Sequence, residues 1–185
     1  MTAMLAPTGL LTAADLSFEP DDGLRRELHD GVVYVVPLPS DDHQWVESVV
    51  DRALYAHAPD DVYVLRNVGI HTGIRRMYVP DVTVVRRGMP HHDNAYDPTG
   101  ILVAVEIVSP SSTTMDRITK PAVYAEVGIP YFWRVEPGPR LVCHRLGTEG
   151  VYAVVAEAGR GEVVRLDDPW PVEVRVDDLV MPHKR

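Results

Sequence analysis

One apolar run, Ile101-Leu-Val-Ala-Val-Glu106-Ile-Val-Ser-Pro110, limits most tightly what this chain can fold into. It is apolar on both faces except at Glu106 and ends in turn residues. That pattern predicts a central strand covered on both sides, hence a layered α/β protein. A second run, Tyr78-Val-Pro-Asp81-Val-Thr-Val-Val85, also carries one acid inside an apolar stretch. A carboxylate moved from water into apolar surroundings costs several kcal/mol unless something compensates. Two such acids on strands close in sequence can compensate each other by sharing a hard cation. The structural alternative is that each pairs with an arginine.

The rest of the chain reads as one continuous α/β unit over residues 1–185, with 1–10 expected to be a flexible N-terminal segment. Thr12 caps a short helix to Leu16. Asp30-Gly31 between apolar runs predicts a hairpin, because both positions tolerate positive φ. Ser40 caps a helix from about Asp41 to His57, with Asp41 and Asp42 suited to its dipole. Trp45, Val49, Ala53 and Ala56 mark its buried stripe, widened by Val46, Val50 and Leu54. Thr72-Gly73 predicts a turn, and 87–99 an exposed loop. After 109–114 a helix ends at Gly128, and Pro121 requires its regular part to begin between Asp116 and Lys120. Strands at 131–135, 141–145, 151–155 and 162–165 follow, and the fold expected carries extra C-terminal antiparallel strands.

Length and composition bound the function. One domain suits 185 residues. The single cysteine, Cys143, cannot form an internal disulfide and suits a reducing cytosol. No apolar run reaches the roughly 18–20 residues needed to span a membrane, and the N-terminus is a poor signal peptide. The expectation is a cytoplasmic protein. The net charge of −9 argues against strong sequence-independent binding of nucleic acid. The bases are local, in Arg25-Arg26, Arg75-Arg76 and Arg86-Arg87.

Six segments occur in order: Glu27-Leu-His-Asp-Gly31, Pro39-Ser-Asp-Asp-His43, Val79-Pro-Asp81, Val105-Glu-Ile-Val-Ser-Pro-Ser111, Asp116-Arg-Ile-Thr-Lys120 and Tyr124 to Trp133. Together they resemble the bacterial Uma-type family of restriction-endonuclease-like proteins, in the PD-(D/E)xK nuclease superfamily. The resemblance extends from about residue 10 to the C-terminus. It implies a mixed central β-sheet flanked by helices, with the acids at one end, and a metal-dependent DNA endonuclease. The position two residues after Glu106 is Val108, where the superfamily pattern has lysine. Lys120, on the following helix, takes the place that the family pattern gives that lysine. The resemblance also implies a homodimer, since many superfamily enzymes cut both strands as dimers, and weak, salt-dependent binding of DNA.

The residue chemistry fits those expectations. Asp81 and Glu106 offer oxygen ligands suited to Mg2+ or Mn2+, and the Ile107 carbonyl can add a third. Lys120 would neutralise charge in the transition state or position the attacking water. A lysine in the first turn of a helix is disfavoured by the dipole, which favours a functional reason over a surface lysine. In the superfamily an early acid often joins the metal site, and Glu27 matches it. The alternative for Glu27 is an exposed pair with Arg25 or Arg26. His43 can contact phosphate or move a proton near neutral pH; it can equally be a helix-surface histidine. Glu47, one turn on, is a weaker candidate.

Other constellations carry less. His91-His92-Asp93 are adjacent loop residues that rarely converge on one ion. Ser109, Ser111 and Ser112 lack the G-x-S-x-G setting of an acyl-transfer nucleophile. No glycine-rich phosphate loop follows a strand. Two function classes remain: a metal-dependent endonuclease, or a non-catalytic binding or assembly module on the same fold. A glycoside hydrolase using Asp81 and Glu106 is a third, with metal independence as its mark.

Overall fold

The computed structural model describes residues 2–4, 9–16, 24–92, 95–110 and 112–184. Asp93 and Ser111 lie outside the described residues, as do 1 and 5–8 of the N-terminal segment. Residues 2–4 of that segment form a strand.

The strands are β1 (Thr2–Met4), β2 (Arg25–His29), β3 (Val32–Val36), β4 (Val62–Arg66), β5 (Gly69–Gly73), β6 (Arg76–Tyr78), β7 (Val82–Arg86), β8 (His91–His92), β9 (Ala95–Tyr96), β10 (Ile101–Ile107), β11 (Tyr131–Glu136), β12 (Arg140–Leu146), β13 (Tyr152–Ala158), β14 (Val163–Leu166) and β15 (Val172–Arg175). The helices are α1 (Ala13–Leu16), α2 (Asp41–Tyr55) and α3 (Lys120–Glu126). A six-stranded sheet runs β13-β12-β11-β10-β7-β4 and a seven-stranded sheet β1-β3-β2-β6-β5-β9-β8; β14 and β15 form a separate ribbon.

The central strand is β10, as its composition requires. All seven of its residues are buried. It pairs parallel with β11 and antiparallel with β7, so the six-stranded sheet is mixed. One face packs on α2 and the ribbon, through residues such as Val50, Leu54, Val103, Trp133 and Trp170. The other packs on α3 and part of the larger sheet, through Ile70, Tyr78, Ala104, Tyr124 and Phe132.

The Asp30-Gly31 hairpin forms with both residues at positive φ, 47° and 86°. Ser40 caps α2 by accepting from the His43 N–H at 3.3 Å. The buried stripe of α2 is Val46, Val49, Val50 and Leu54, with Glu47 among them, while Ala56 is exposed. Three local expectations change. The turn expected at Thr72-Gly73 falls at 74–75, because β5 continues through Gly73. The stretch 87–99 is not wholly loop: β8 and β9 extend the larger sheet, and β9 buries Ala95. Asp81, expected within its strand, lies immediately before it, because β7 begins at Val82.

The helix after β10 begins irregularly. Met115–Thr119 wind as a π turn, and the Lys120 N–H bonds back to the Met115 carbonyl. Pro121 has no N–H to give an α-type bond, so the wider turn is relieved where regular helix starts at Lys120.

Candidate active site

Strand register brings the two acids together. Val105 pairs with Val82 and Ala104 with Thr83. One step further along this antiparallel register puts Asp81 across from Glu106 on the same face. The Asp81 N–H donates to the Val105 carbonyl at 3.0 Å, and the Ile107 N–H donates to Asp81 Oδ2 at 2.8 Å. Glu106 looks toward Lys120 and Tyr124 of α3.

Each Glu106 oxygen accepts one hydrogen bond there. Lys120 Nζ donates to its Oε2 at 2.9 Å and the Tyr124 hydroxyl to its Oε1 at 2.7 Å. Lys120 also stands 3.0 Å from Glu27 Oε1 and 3.5 Å from Asp116 Oδ1, one helical turn before it. Glu27 is therefore not an exposed partner of Arg25 or Arg26. It is 1% exposed and also accepts the Val79 N–H at 3.1 Å. Lys120, at 4% exposure, is no surface lysine either.

Asp81 faces a second group of side chains. Its Oδ1 lies 3.1 Å from Arg25 Nη1 and 3.2 Å from His43 Nε2. Arg25 Nη1 also donates to Asn67 Oδ1 at 2.6 Å, and Asn67 Nδ2 donates to Glu47 Oε1 at 2.7 Å. His43 and Glu47, one turn apart on α2, thus both join the site, and Glu47 is buried.

Acids outnumber the permanent cations here, and the proton affinities follow. Burial, reinforced by Asp116, Asp81 and Glu27, lifts the Glu106 carboxyl well above its usual range despite Lys120. Burial likewise raises Asp116, and burial together with the Asp81 charge raises Glu47. Burial alone would lower Lys120, but Glu106, Glu27, Asp116 and Asp81 overcome it and raise its pKa well above normal. Both directions hold at once, because three acids surround one ammonium.

Every side chain singled out as a site candidate reaches this cluster: Asp81, Glu106, Lys120, Glu27 and His43. Ile107 meets it through its N–H. Arg25, Asn67, Asp116 and Tyr124 join the site without being candidates from the sequence. Two of them left a trace in the sequence: Arg25 lies two residues from Glu27 on the same strand, and Asp116 four residues from Lys120. Asn67 left none.

The donors are suited to a hard divalent cation. They are carboxylate oxygens with net negative charge, and Glu27 Oε2 is buried with no hydrogen-bond partner among the described residues. No three His, Cys, Asp or Glu side chains among the described residues are already gathered as a metal cage. A bound ion would therefore draw further ligands from backbone, water or substrate.

Among curated proteins none matches the chain. A crystal structure described as "a putative nuclease belonging to DUF820", from Anabaena variabilis, is similar in fold, with a TM-score of 0.67 at 17% identity over 91% of this chain and 97% of that one. The model of the Uma2 family, described as "Putative restriction endonuclease", matches residues 14–178. That match spans most of the sequence, and the chain belongs to the Uma2 family.

Proposed function

We propose that this protein is a divalent-metal-dependent DNA endonuclease that hydrolyses phosphodiester bonds at the Asp81–Glu106 site, with Mg2+ or Mn2+ as its cofactor. The observation that carries the reading is the pair of buried acids, Glu106 on β10 and Asp81 immediately before β7, with Asp81 held by the Ile107 N–H and Glu106 faced by Lys120. Family membership supports DNA as the substrate.

Asp81 and Glu106 would hold the ion, with the Ile107 carbonyl as a third ligand. When bound, the metal supplies a water acidified toward neutral pH and a Lewis acid for the phosphoryl oxygen. The chain's own residues do the rest. Lys120 neutralises Glu27, Glu106 and Asp116, so the acids can stand together without all taking protons. Tyr124 fixes the orientation of Glu106 through Oε1. His43, 3.2 Å from Asp81, is placed to pass a proton at the site's edge. A homodimer would present two such sites to the two strands of a duplex.

A second reading has one observation in its favour. Lys120 and both oxygens of Glu106 are already bonded within the protein, as a non-catalytic module on this fold could have them. Cleavage separates the two readings. The purified protein should nick plasmid DNA with Mg2+ or Mn2+ and stop on addition of a chelator. Asp81→Asn and Glu106→Gln should each abolish nicking while the protein stays folded. A folded protein that binds no divalent ion and leaves single- and double-stranded DNA intact at low salt would decide for the module.

A further inference from the structure

Lys120 is the cation the sequence singles out, yet its ammonium is committed. Its three donors stand against Glu106, Glu27 and Asp116, and its side chain is 5% exposed. It could reach a phosphate only by abandoning one of those acids.

Arg25 is differently placed. It lies two residues before Glu27 on β2, and about a quarter of its side chain is exposed (24%). Only Nη1 is engaged, by Asn67 Oδ1 at 2.6 Å and Asp81 Oδ1 at 3.1 Å. Among the described residues, Nε and Nη2 make no hydrogen bond. Those two groups form one edge of the planar guanidinium, whose donor spacing matches two oxygens of a phosphate.

The neighbours hold this arrangement. Asn67 sits at positive φ (55°), a conformation that asparagine tolerates better than most side chains. Its N–H donates to the Asp81 carbonyl at 3.3 Å, its Oδ1 accepts from Arg25, and its Nδ2 donates to Glu47. Glu47 is fixed in the buried stripe of α2. Arg25 is thus held by a contact that does not depend on Asp81. If a cation took Asp81 Oδ1, the Asn67 contact would remain.

We propose that Arg25 grips the scissile phosphate through its Nε and Nη2 edge, with Asn67 and Glu47 as positioning residues, while Lys120 remains the buried counter-charge of the acids. This rests on the phosphodiesterase reading above.

The test is the affinity of wild type, Arg25→Ala, Arg25→Lys and Asn67→Ala for a fluorescent DNA duplex, with Ca2+ in place of Mg2+, over a series of salt concentrations. A thermal melt checks that each variant is folded, and Arg25→Lys retains a positive charge beside Asp81. Arg25→Ala should weaken binding about tenfold and reduce the salt slope by about 0.9, the value of one lost phosphate contact. Arg25→Lys should also weaken binding severalfold, because a point charge lacks the fork, and should raise KM more than it lowers kcat in Mg2+. Asn67→Ala should give a smaller loss in the same direction. Arg25 variants that bind and cleave like wild type overturn the assignment and leave the nuclease reading standing. A wild-type protein that neither binds nor cuts DNA removes both.

Discussion

Replacing Lys120 by methionine isolates what the buried ammonium does, because methionine is similar in length, apolar and uncharged. Lys120 stands 2.9, 3.0 and 3.5 Å from Glu106, Glu27 and Asp116, and each of those side chains is at most 3% exposed. At an effective dielectric of about 20, one pair at ~3 Å is worth ~5 kcal/mol. Desolvation of the ammonium and repulsion among the acids offset most of the total. Removing one member of a buried ion pair typically costs ~3–5 kcal/mol, because the partner charge is left uncompensated. For a chain of this size that corresponds to a fall in Tm of about 10 °C. The loss should depend on pH. Glu106 and Asp116 have native pKa values raised above their ordinary 4.5 and 3.8. Between the unfolded and the native values the folded protein binds more protons than the unfolded chain, so stability falls as pH rises across that window. Without Lys120 the same acids hold protons still more tightly, which widens the window and enlarges the fall. Urea unfolding of wild type and Lys120→Met at pH 5 and pH 8 reads this directly. The difference should be ~3–5 kcal/mol at pH 8 and less than half of that at pH 5. An equal loss at both pH values, or less than about 1 kcal/mol at pH 8, would refute the argument that Lys120 neutralises charged acids.

Three further outcomes follow from the same geometry. Tyr124→Phe removes a buried donor to Glu106 Oε1; unfolding should show a loss of ~1–3 kcal/mol, and NMR titration a still higher Glu106 pKa. Binding of Mn2+ requires the raised Glu106 carboxyl to give up its proton, so calorimetry in buffers of different ionisation enthalpy should detect proton release, with affinity rising as pH increases from 5 to 8. Gly31→Ala puts a Cβ 2.6 Å from Leu10 Cβ at a φ of +86°; it should lower stability by ~1–3 kcal/mol in a thermal melt.

The parts of this fold that were legible beforehand are those in which local chemistry and tertiary position agree. Ile101 to Ile107 could only be a buried central strand. Asp30-Gly31 could hardly be anything but a tight hairpin. The placement of Glu106 against Lys120 was legible through motif order, because the interval between them is a loop and a π turn whose course no periodicity reveals. Burial of Glu27 was not legible. Its surroundings come from Val79 and Lys120, 52 and 93 residues away, and Arg25 and Arg26 beside it in sequence pointed to a surface pair. Glu47 read only weakly because an acid in the first turns of a helix normally serves the dipole. Asn67 gave no signal, since its function in the structure depends on a left-handed turn that brings Arg25 and Glu47 to its two amide ends. The β8 and β9 strands, two residues each, are too short for alternation to register.

Metal-dependent cleavage at this site requires Asp81 and Glu106 to share a cation. A crystal of the protein soaked in Mn2+, with anomalous scattering measured at the manganese edge, answers this. One strong peak is expected within roughly 2.0–2.6 Å of a carboxylate oxygen from each acid, lost in Glu106→Gln. Full density for Lys120 and Arg25 in their present contacts, with no peak between the two acids at millimolar Mn2+, would contradict it.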